Sequence, residues 1–223
     1  GHGARTVAAL VEDTEVVWQD RQLGTGHAAA CARETLRGFD GPIFVLAGDV
    51  PLLRSATLVG LLDAWRESGA ACAMLTTSFP DPAGYGRVVR DSAGRPAAIV
   101  EHKDLAPEQA DIAECNVGVY CFEAAALFDA LGQTSPHNAQ GEYYLTDVVG
   151  LLHDRGLGVE AVHLRDPGES HGINTRVQLA AASRLMQARI NERHMLAGVT
   201  MVDPALVWIA PDVTIGRDVV IEP

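Results

Sequence analysis

The chain has 223 residues, of which 48% are hydrophobic and 21% charged, and these values exclude a disordered segment, a coiled coil and a collagen. Its 17 basic and 29 acidic residues give a net charge of −12, which argues against nucleic acid or an anionic membrane surface as a partner. The four cysteines lack metal-ligand spacing and lie among apolar neighbours, so we expect buried free thiols and a reducing, cytoplasmic location. No apolar run is long enough for a membrane span, and no secretory signal is visible.

Short apolar runs alternate with amphipathic stretches over the first part of the chain. In chain order, we expect a strand at 15–18, a helix at 24–37, a strand at 42–47, a helix at 55–67 and a strand at 71–77. The run at 42–47 is continuously apolar, as in strands that are buried on both faces. This alternation predicts an α/β fold with a parallel sheet covered by helices.

The following region is richer in strands. We predict strands at 87–90, 97–101 and 116–122, then a helix at 146–155, a strand at 159–164 and a long helix at 174–196.

Near the end of the chain, aliphatic residues recur every six positions. Two series run in step: Val207, Val213 and Val219, and Ile209, Ile215 and Ile221. This period is typical of the hexapeptide repeat of a parallel β-helix. The alternative is a valine–isoleucine hairpin without a repeat architecture.

Two glycine-containing segments follow predicted strands, where α/β sheets bind ligands. Residues 19–28 contain Gly24 and Thr25 ahead of a helix, whose free N–H groups suit a flat or charged ligand; a packing device or a helix cap is the alternative. The second segment contains Gly48 and Asp49. A carboxylate there can hold a magnesium ion that bridges phosphates, or it can simply cap the following turn.

Four further segments combine glycine, amide, aromatic and charged residues. They are 84–87 before a strand, 99–104 after one, 138–147 before a helix, and 172–176 at the start of the long helix. A charge run such as 101–104 is usually a solvated loop, and Asn174 can be read as the N-cap of the long helix. The sequence has no HExxH pair and no GxSxG elbow, so zinc and serine-hydrolase chemistry have no support.

The order of these segments carries more information than any one of them. The run from LGTGHA through AGDVPLL, GYGR, IVEHKD, NVG and NAQGEYYLTD to GINTR closely resembles the bacterial bifunctional N-acetylglucosamine-1-phosphate uridylyltransferase/glucosamine-1-phosphate acetyltransferase family. The resemblance implies an α/β, Rossmann-like nucleotidyltransferase domain, N-terminally incomplete, followed by the start of a left-handed parallel β-helix. The implied domains are 1–197, ending in a long connecting helix, and 198–223, the first coils of the β-helix.

In this family the N-terminal domain couples UTP to N-acetylglucosamine 1-phosphate, giving UDP-N-acetylglucosamine and pyrophosphate. The C-terminal β-helix acetylates glucosamine 1-phosphate with acetyl-CoA and forms a homotrimer. Carried onto this chain, the resemblance implies that Gln19, Gly24 and Thr25 read uracil, and that Asp49 and Asn174 are catalytic ligands of Mg²⁺. The substrate-binding positions that it implies beyond these are Gly48, Gly86, Glu101, Asn116, Tyr144 and Thr146, and Asn174 also contacts substrate.

The two ends depart from the family pattern. The family's glycine-rich loop, L-x-x-G-x-G-T-x-M, and a later lysine lie before the position that Gly1 matches, and most of the β-helix lies beyond the last residue. We therefore expect little or no uridylyltransferase activity from these 223 residues alone. Two alternatives stay open: a non-catalytic sugar-nucleotide-binding relative, and a nucleotidyltransferase for another sugar 1-phosphate.

Overall fold

A computed structural model describes residues 3–11, 13–79 and 81–222, which form two compact units. The first unit comprises the described residues up to Ala47 together with Ser55–Arg165. The second comprises Gly48–Arg54 and the described residues from Asp166 onward. The short segment Gly48–Arg54 therefore belongs with residues that lie far later in the chain.

The first unit is built on a six-stranded sheet. Its strands are β1 (Pro42–Leu46), β2 (Cys72–Ser78), β3 (Arg87–Arg90), β4 (Pro96–Val100), β5 (Glu114–Glu123) and β6 (Val159–His163). They are hydrogen-bonded in the order β4-β3-β5-β2-β6, and β1 pairs with the second half of β5.

The position of β5 corrects the prediction of a parallel sheet. This strand lies between β1 and β2 and is antiparallel to both, whereas β2 and β6 are parallel. β1 and β2 point the same way, as the helical connection between them predicts, but the β3–β4 hairpin reverses the chain before β5 enters the sheet. The sheet is therefore mixed, and the predicted α/β class is confirmed.

The helices of this unit are α1 (Ala4–Ala8), α2 (Thr25–Cys31), α3 (Ser55–Ser68), α4 (Ala124–Leu131) and α5 (Asp147–Asp154). α1 has no buried residue, whereas α3, α4 and α5 pack on the sheet and α2 packs against α4. The core combines Tyr120 and Phe122 of β5 with Leu127 of α4 and with Val148 and Leu152 of α5, all of which are fully buried. Burial of these large apolar side chains is the main force that holds the unit together.

Three predictions for this unit are wrong. Residues 15–18 form no strand, since none of the described strands pairs with them, and Trp18 is 51% exposed. β1 is only half-buried, because it has a single strand neighbour, β5, among the described residues. α2 ends at Cys31 instead of continuing to residue 37, because the N–H groups of Ala32 and Arg33 bond three residues back and tighten the chain into turns.

The second unit contains a long helix, α6 (Arg176–Leu196), and a two-stranded parallel sheet of β7 (Thr200–Met201) and β8 (Val220–Ile221). The N-cap of α6 is Thr175, which forms a capping box with Gln178, so the reading of Asn174 as the cap is wrong. No helix in the described part of the chain is both long and apolar enough to cross a bilayer.

A small apolar cluster packs inside the C-terminal segment of the second unit. The cluster contains Val199, Met201 and Val207, and the isoleucine series of the six-residue period, Ile209, Ile215 and Ile221, packs against it. In the valine series, Val213 and Val219 are each 41% exposed. The β-helix itself stays a prediction.

Candidate functional site

The loop before α2 leaves no room for a side chain at Gly24. Gly24 has φ +106°, and a Cβ atom there would come within 2.5 Å of the carbonyl oxygen of Tyr143. The Nε2 of Gln19 donates to the Gly24 carbonyl at 3.1 Å and lies 2.9 Å from Nδ1 of His27. The segment that the resemblance assigns to uracil is thus a tight turn whose geometry requires glycine.

Thr25 joins the start of α2 to the segment before α5. Its Oγ1 accepts a hydrogen bond from the Leu145 N–H at 3.0 Å, and the Gly26 N–H donates to the Tyr143 carbonyl at 2.8 Å. These two bonds hold the start of α2 against the segment that leads to Thr146, and Thr25 and Thr146 line the same cavity.

An open cavity of about 280 Å³ lies beside β1 and β5 in the first unit. This volume is at the lower end of the range of small-molecule sites. Aliphatic side chains and four of the predicted site residues share its lining, which comprises Thr25, Ala28, Ala29, Val45, Leu46, Ala47, Glu101, Asn116, Gly118, Tyr120, Leu145 and Thr146.

Glu101 brings a carboxylate to this cavity from the end of β4. Its Oε1 accepts a hydrogen bond from Oγ1 of the buried Thr146 at 2.9 Å. A Cβ atom on Gly86 would come within 2.9 Å of the Ile99 side chain and 3.5 Å of Oε2 of Glu101. Glycine at position 86 therefore leaves space for the carboxylate.

A bulge in β5 directs Asn116 towards the cavity. The β2–β5 register shifts beside Gly118, which has φ +77°, and the Gly118 N–H donates to Oδ1 of Asn116 at 3.1 Å. Burial raises the pKa of Tyr120 far above its ordinary value, and a hydrogen bond with Asn116 offsets only part of that shift. Tyr120 is therefore a neutral hydroxyl at physiological pH.

Tyr144 is buried but does not line the cavity. Its hydroxyl accepts from Nε2 of Gln140 at 2.8 Å, and Oε1 of Gln140 accepts from Nζ of Lys103 at 2.8 Å. Asp104 accepts from the Ala139 N–H at 2.8 Å. The charge run at 101–104 is thus more than a solvated loop, because it links the β4 end to the segment before α5.

The charged side chain in the lining of this cavity is the carboxylate Glu101. Burial raises the pKa of Asp147, and the charges of Glu101 and Asp104 raise it further. An anionic ligand therefore needs a counter-charge that these residues do not supply.

The second unit brings Asp49 and Asn174 together around Gly172. The Ile173 N–H donates to the Asp49 carbonyl oxygen at 2.9 Å. A Cβ atom built on Gly172 would lie 3.5 Å from Oδ2 of Asp49 and 4.0 Å from Nδ2 of Asn174. Both side chains are exposed, and neither makes a side-chain hydrogen bond within the described residues.

This pair fits a divalent cation that is shared with a ligand. No three histidine, cysteine or acidic side chains within residues 3–11, 13–79 and 81–222 come together as a metal cage. Mg²⁺, however, is usually held by one or two carboxylates, waters and substrate phosphates. A carboxylate and a side-chain amide are the donor types that the protein would contribute to such a set, and Asp49 and Asn174 have them.

Sequence reasoning missed the charged residues that support the Asp49 loop. Asp166 accepts from Arg54 at 2.9 Å and from Arg189 at 3.3 Å, and Glu169 accepts from the backbone N–H of Arg54 at 2.9 Å. In sequence, Asp166-Pro167-Gly168-Glu169 looks like an ordinary polar turn. Nothing local indicates that it contacts residues 48–54.

The predicted site residues therefore fall into two groups, one in each unit. The first unit holds Gln19, Gly24, Thr25, Gly86, Glu101, Asn116, Tyr144 and Thr146. The second holds Gly48, Asp49 and Asn174.

The chain is similar to several known proteins. Residues 2–134 match the family described as the MobA-like NTP transferase domain. The whole chain is 48% identical over 226 residues to the bifunctional protein GlmU of Geobacter metallireducens, covering 48% of that protein. It is 46% identical over 224 residues to GlmU of Shouchella clausii and 48% identical over 224 residues to GlmU of Listeria monocytogenes, covering 49% of each.

The chain therefore spans about half the length of the curated relatives that it matches. Among solved structures, it resembles a protein from Bacillus anthracis described as a glucose-1-phosphate thymidylyltransferase, determined in complex with sucrose. The TM-score is 0.55 and the identity 18%, over 75% of this chain and 62% of that one. This likeness concerns the fold.

Proposed function

We propose a function on one premise: the chain belongs to the family of MobA-like NTP transferase domains, whose model matches more than half of its length. It is a nucleotidyltransferase, and its GlmU relatives support transfer of a nucleotidyl group to a sugar 1-phosphate. The finer reaction that we propose takes UTP and N-acetylglucosamine 1-phosphate and gives UDP-N-acetylglucosamine and pyrophosphate.

The observation that carries the proposal is the cavity in the first unit. Glu101 and Asn116 present a carboxylate and an amide, both held by hydrogen bonds, to a space of about 280 Å³ with an aliphatic wall. Fixed polar groups of this kind suit the hydroxyls and the acetamido group of a neutral sugar ring. They discriminate strongly, because a sugar that lacks a partner group leaves them unsatisfied.

The turn at Gly24 is the site that we propose for the uracil base. The amide nitrogen of Gln19 donates a hydrogen bond to the Gly24 carbonyl oxygen, while its Oε1 accepts no hydrogen bond within the described residues. That oxygen can accept from the N–H of a uracil ring. Gly24 and Thr25 then offer backbone atoms close to the base, because the turn excludes side chains.

The proposed chemistry is an in-line displacement at phosphorus. A phosphate oxygen of the sugar 1-phosphate forms a bond to the α-phosphorus of UTP, and the bond to the pyrophosphate leaving group breaks. No general base is required, since the attacking phosphate is already ionised at neutral pH. Catalysis is then mainly a matter of positioning and charge neutralisation.

A divalent cation, proposed as Mg²⁺, is a natural part of this reaction. Asp49 and Asn174 are the residues that would hold it, and when bound it offsets the repulsion between two anionic substrates. The need is large here, since the chain carries a net charge of −12. Gly48, just before Asp49, is proposed as a backbone contact to the same ligand.

The further properties of the family are proposals for a longer protein that contains this chain. We propose the domain division at residue 197, a β-helix beginning at 198, acetylation of glucosamine 1-phosphate with acetyl-CoA, homotrimer formation and a cytoplasmic location. The parallel pairing of β7 with β8 supports the β-helix, because it stacks the end of the segment on its beginning. The inward-facing isoleucine series at period six supports it as well.

A substrate panel tests the proposed reaction. Pyrophosphate release is measured with the full-length protein that carries these residues, with UTP, dTTP, CTP or GTP paired with N-acetylglucosamine, glucosamine or glucose 1-phosphate. We expect UTP with N-acetylglucosamine 1-phosphate to have the highest kcat/KM, by on the order of a hundredfold or more. Preference for another pair would reassign the substrates, and nucleotide-sugar binding without pyrophosphate release would make the protein a binding relative. The 223 residues alone are expected to turn over much more slowly.

A further inference from the structure

The loop Gly48–Arg54, which carries Asp49, is fixed at three points along its length. The Asp49 carbonyl oxygen accepts from Ile173 at 2.9 Å, and the Leu52 carbonyl oxygen accepts from Arg189 at 2.7 Å. The Arg54 N–H donates to Oε2 of Glu169 at 2.9 Å. Each anchor comes from a residue of the second unit.

Glu169 differs from the other anchors because it is a buried carboxylate. Its residue is only 4% exposed, although Arg54 and Asp166, which lie beside it in the same network, have side chains that are 50% and 43% exposed. A buried glutamate is costly unless its oxygens are bonded. Oε2 is bonded to the Arg54 backbone, and Oε1 lies 3.7 Å from Nε of the Arg54 side chain.

Glu169 therefore contacts both the backbone and the side chain of the last residue of the loop. The same short segment continues to Gly172, and a Cβ atom built there would lie within 4.0 Å of both the Asp49 and the Asn174 side chains. Residues 169–174 thus bond the end of the Asp49 loop at Arg54 and also contain Asn174, the second residue of the pair.

We propose that Glu169 is a positioning residue for the divalent-cation pair: by bonding the Arg54 N–H, it fixes the loop so that the Asp49 carboxylate stays opposite Asn174. This inference rests on the proposed function for its catalytic consequence. Its structural part, the fixing of the loop, holds whatever the substrates are. Partners of metal ligands commonly change metal affinity when they are altered, because they fix ligand orientation.

Two variants separate the effect of the length of the Glu169 side chain from the effect of its charge. Glu169→Asp keeps the charge but withdraws the carboxylate by one methylene from the Arg54 N–H. Glu169→Gln loses the charge but keeps an oxygen in place to accept that hydrogen bond. If Glu169 acts through the hydrogen bond that its side-chain length allows, Glu169→Asp is the more harmful change and Glu169→Gln keeps most of the function.

The first measurement is amide hydrogen exchange of residues 48–54 by mass spectrometry, in protein without metal. We expect faster exchange of this loop in Glu169→Asp than in the native protein or Glu169→Gln. Glu192→Ala is the matched control, because Glu192 is an exposed acid on α6, and it should leave the loop unchanged.

The second measurement is the Mg²⁺ concentration that gives half-maximal pyrophosphate release. We expect Glu169→Asp to raise it by about tenfold or more, with the KM for the sugar 1-phosphate changed by about twofold at most. A role in general stability would instead lower the melting temperature and move both constants together. The Arg54→Gln variant keeps the backbone N–H, so it should change both measurements less than Glu169→Asp does.

The two proposals fail in different ways. If the native protein releases no pyrophosphate from any substrate pair, the proposed function is wrong, and loop exchange alone decides the role of Glu169. If the native protein is active but Glu169→Asp leaves loop exchange and the Mg²⁺ requirement unchanged, the positioning role is wrong. Greater damage by Glu169→Gln than by Glu169→Asp would also overturn it, since charge and not reach would then matter.

Discussion

The two groups of site residues differ in whether their polar side chains are already hydrogen-bonded within the protein. In the first unit, polar side chains around the cavity are bonded to the chain itself: Glu101 to Thr146, Asn116 to Gly118, and Thr25 to Leu145. In the second unit, the Asp49 and Asn174 side chains are exposed and have no hydrogen-bonded partner within the described residues. The first group is fixed before any ligand arrives, and the second depends on its loop for position.

This difference matches two tasks of the proposed function. Recognition of a neutral sugar and a base needs polar groups held at fixed positions. When the wrong ligand binds, these groups lose their hydrogen-bond partners, and this cost gives the specificity. Holding a hydrated cation between phosphates needs open oxygens that can accept water and ligand. Changes in the second unit should therefore affect turnover most, and changes in the first unit should affect selectivity.

The largest effect is expected from Asp49→Ala. Loss of the only carboxylate of the pair should lower Mg²⁺-dependent turnover by on the order of a thousandfold, since metal charge stabilisation is worth several kcal/mol. Stability should not change, because the Asp49 side chain is exposed. Turnover and thermal melting are measured beside Asp212→Ala, which removes another exposed acid of the second unit. Unchanged turnover would remove Asp49 from the metal site.

Next in size is Gly24→Ala in the first unit. The added Cβ would lie 2.5 Å from the Tyr143 carbonyl oxygen, at a backbone φ of +106°, so the turn must move. We expect a rise in the KM for UTP and a loss of stability of about 1–3 kcal/mol.

Gly38→Ala is the matched control for this turn, because Gly38 also has positive φ (+78°) but nothing lies within 4 Å of its would-be Cβ atom. Both variants share the backbone cost, and only Gly24→Ala has the clash. Equal effects of the two on melting temperature and on the KM for UTP would show that the close approach to Tyr143 is unimportant.

The sequence predicted local elements and the members of the site, but not the connections between distant segments. Helices α3, α5 and α6 and strands β2 to β6 lie close to where apolar periodicity predicted them, because those signals are local. The antiparallel entry of β5 between β1 and β2 could not be predicted, since strand order depends on packing between segments far apart in sequence.

The same limit applies to the site. Glycine spacing and carboxylates after strands indicated Gly24 and Asp49, whereas Glu169 and Arg189 carried no local signal. Their role is visible only once residues 48–54 pack against the segment that begins at Asp166. Long-range contacts of this kind leave no period in the sequence.

A smaller effect, confined to use of the sugar 1-phosphate, is expected from Thr146→Val. The change keeps the shape of a buried side chain but removes the hydroxyl that donates to Oε1 of Glu101. A hydrogen bond to a charged group is worth about 1.5–3 kcal/mol, so kcat/KM for the sugar 1-phosphate should fall by roughly 10- to 150-fold. The KM for UTP should change little. Thr134→Val, which removes a hydroxyl bonded to the Leu131 carbonyl, is the control, and an equal loss there would make the effect one of general stability.

The smallest effect is expected from Asp147→Asn, which tests whether Asp147 is repelled by Glu101 and Asp104. Burial and the charges of Glu101 and Asp104 raise the folded-state pKa of Asp147, so the native state binds its proton more tightly than the unfolded state does. This carboxyl group therefore contributes least to stability above its folded pKa, and the penalty disappears as the pH falls below its ordinary pKa near 3.8. Asp147→Asn should raise the melting temperature slightly at pH 7, and the difference from the native protein should shrink on acidification. A lower melting temperature at pH 7 would mean that the favourable interaction of this carboxylate with the N-terminus of α5 outweighs the repulsion.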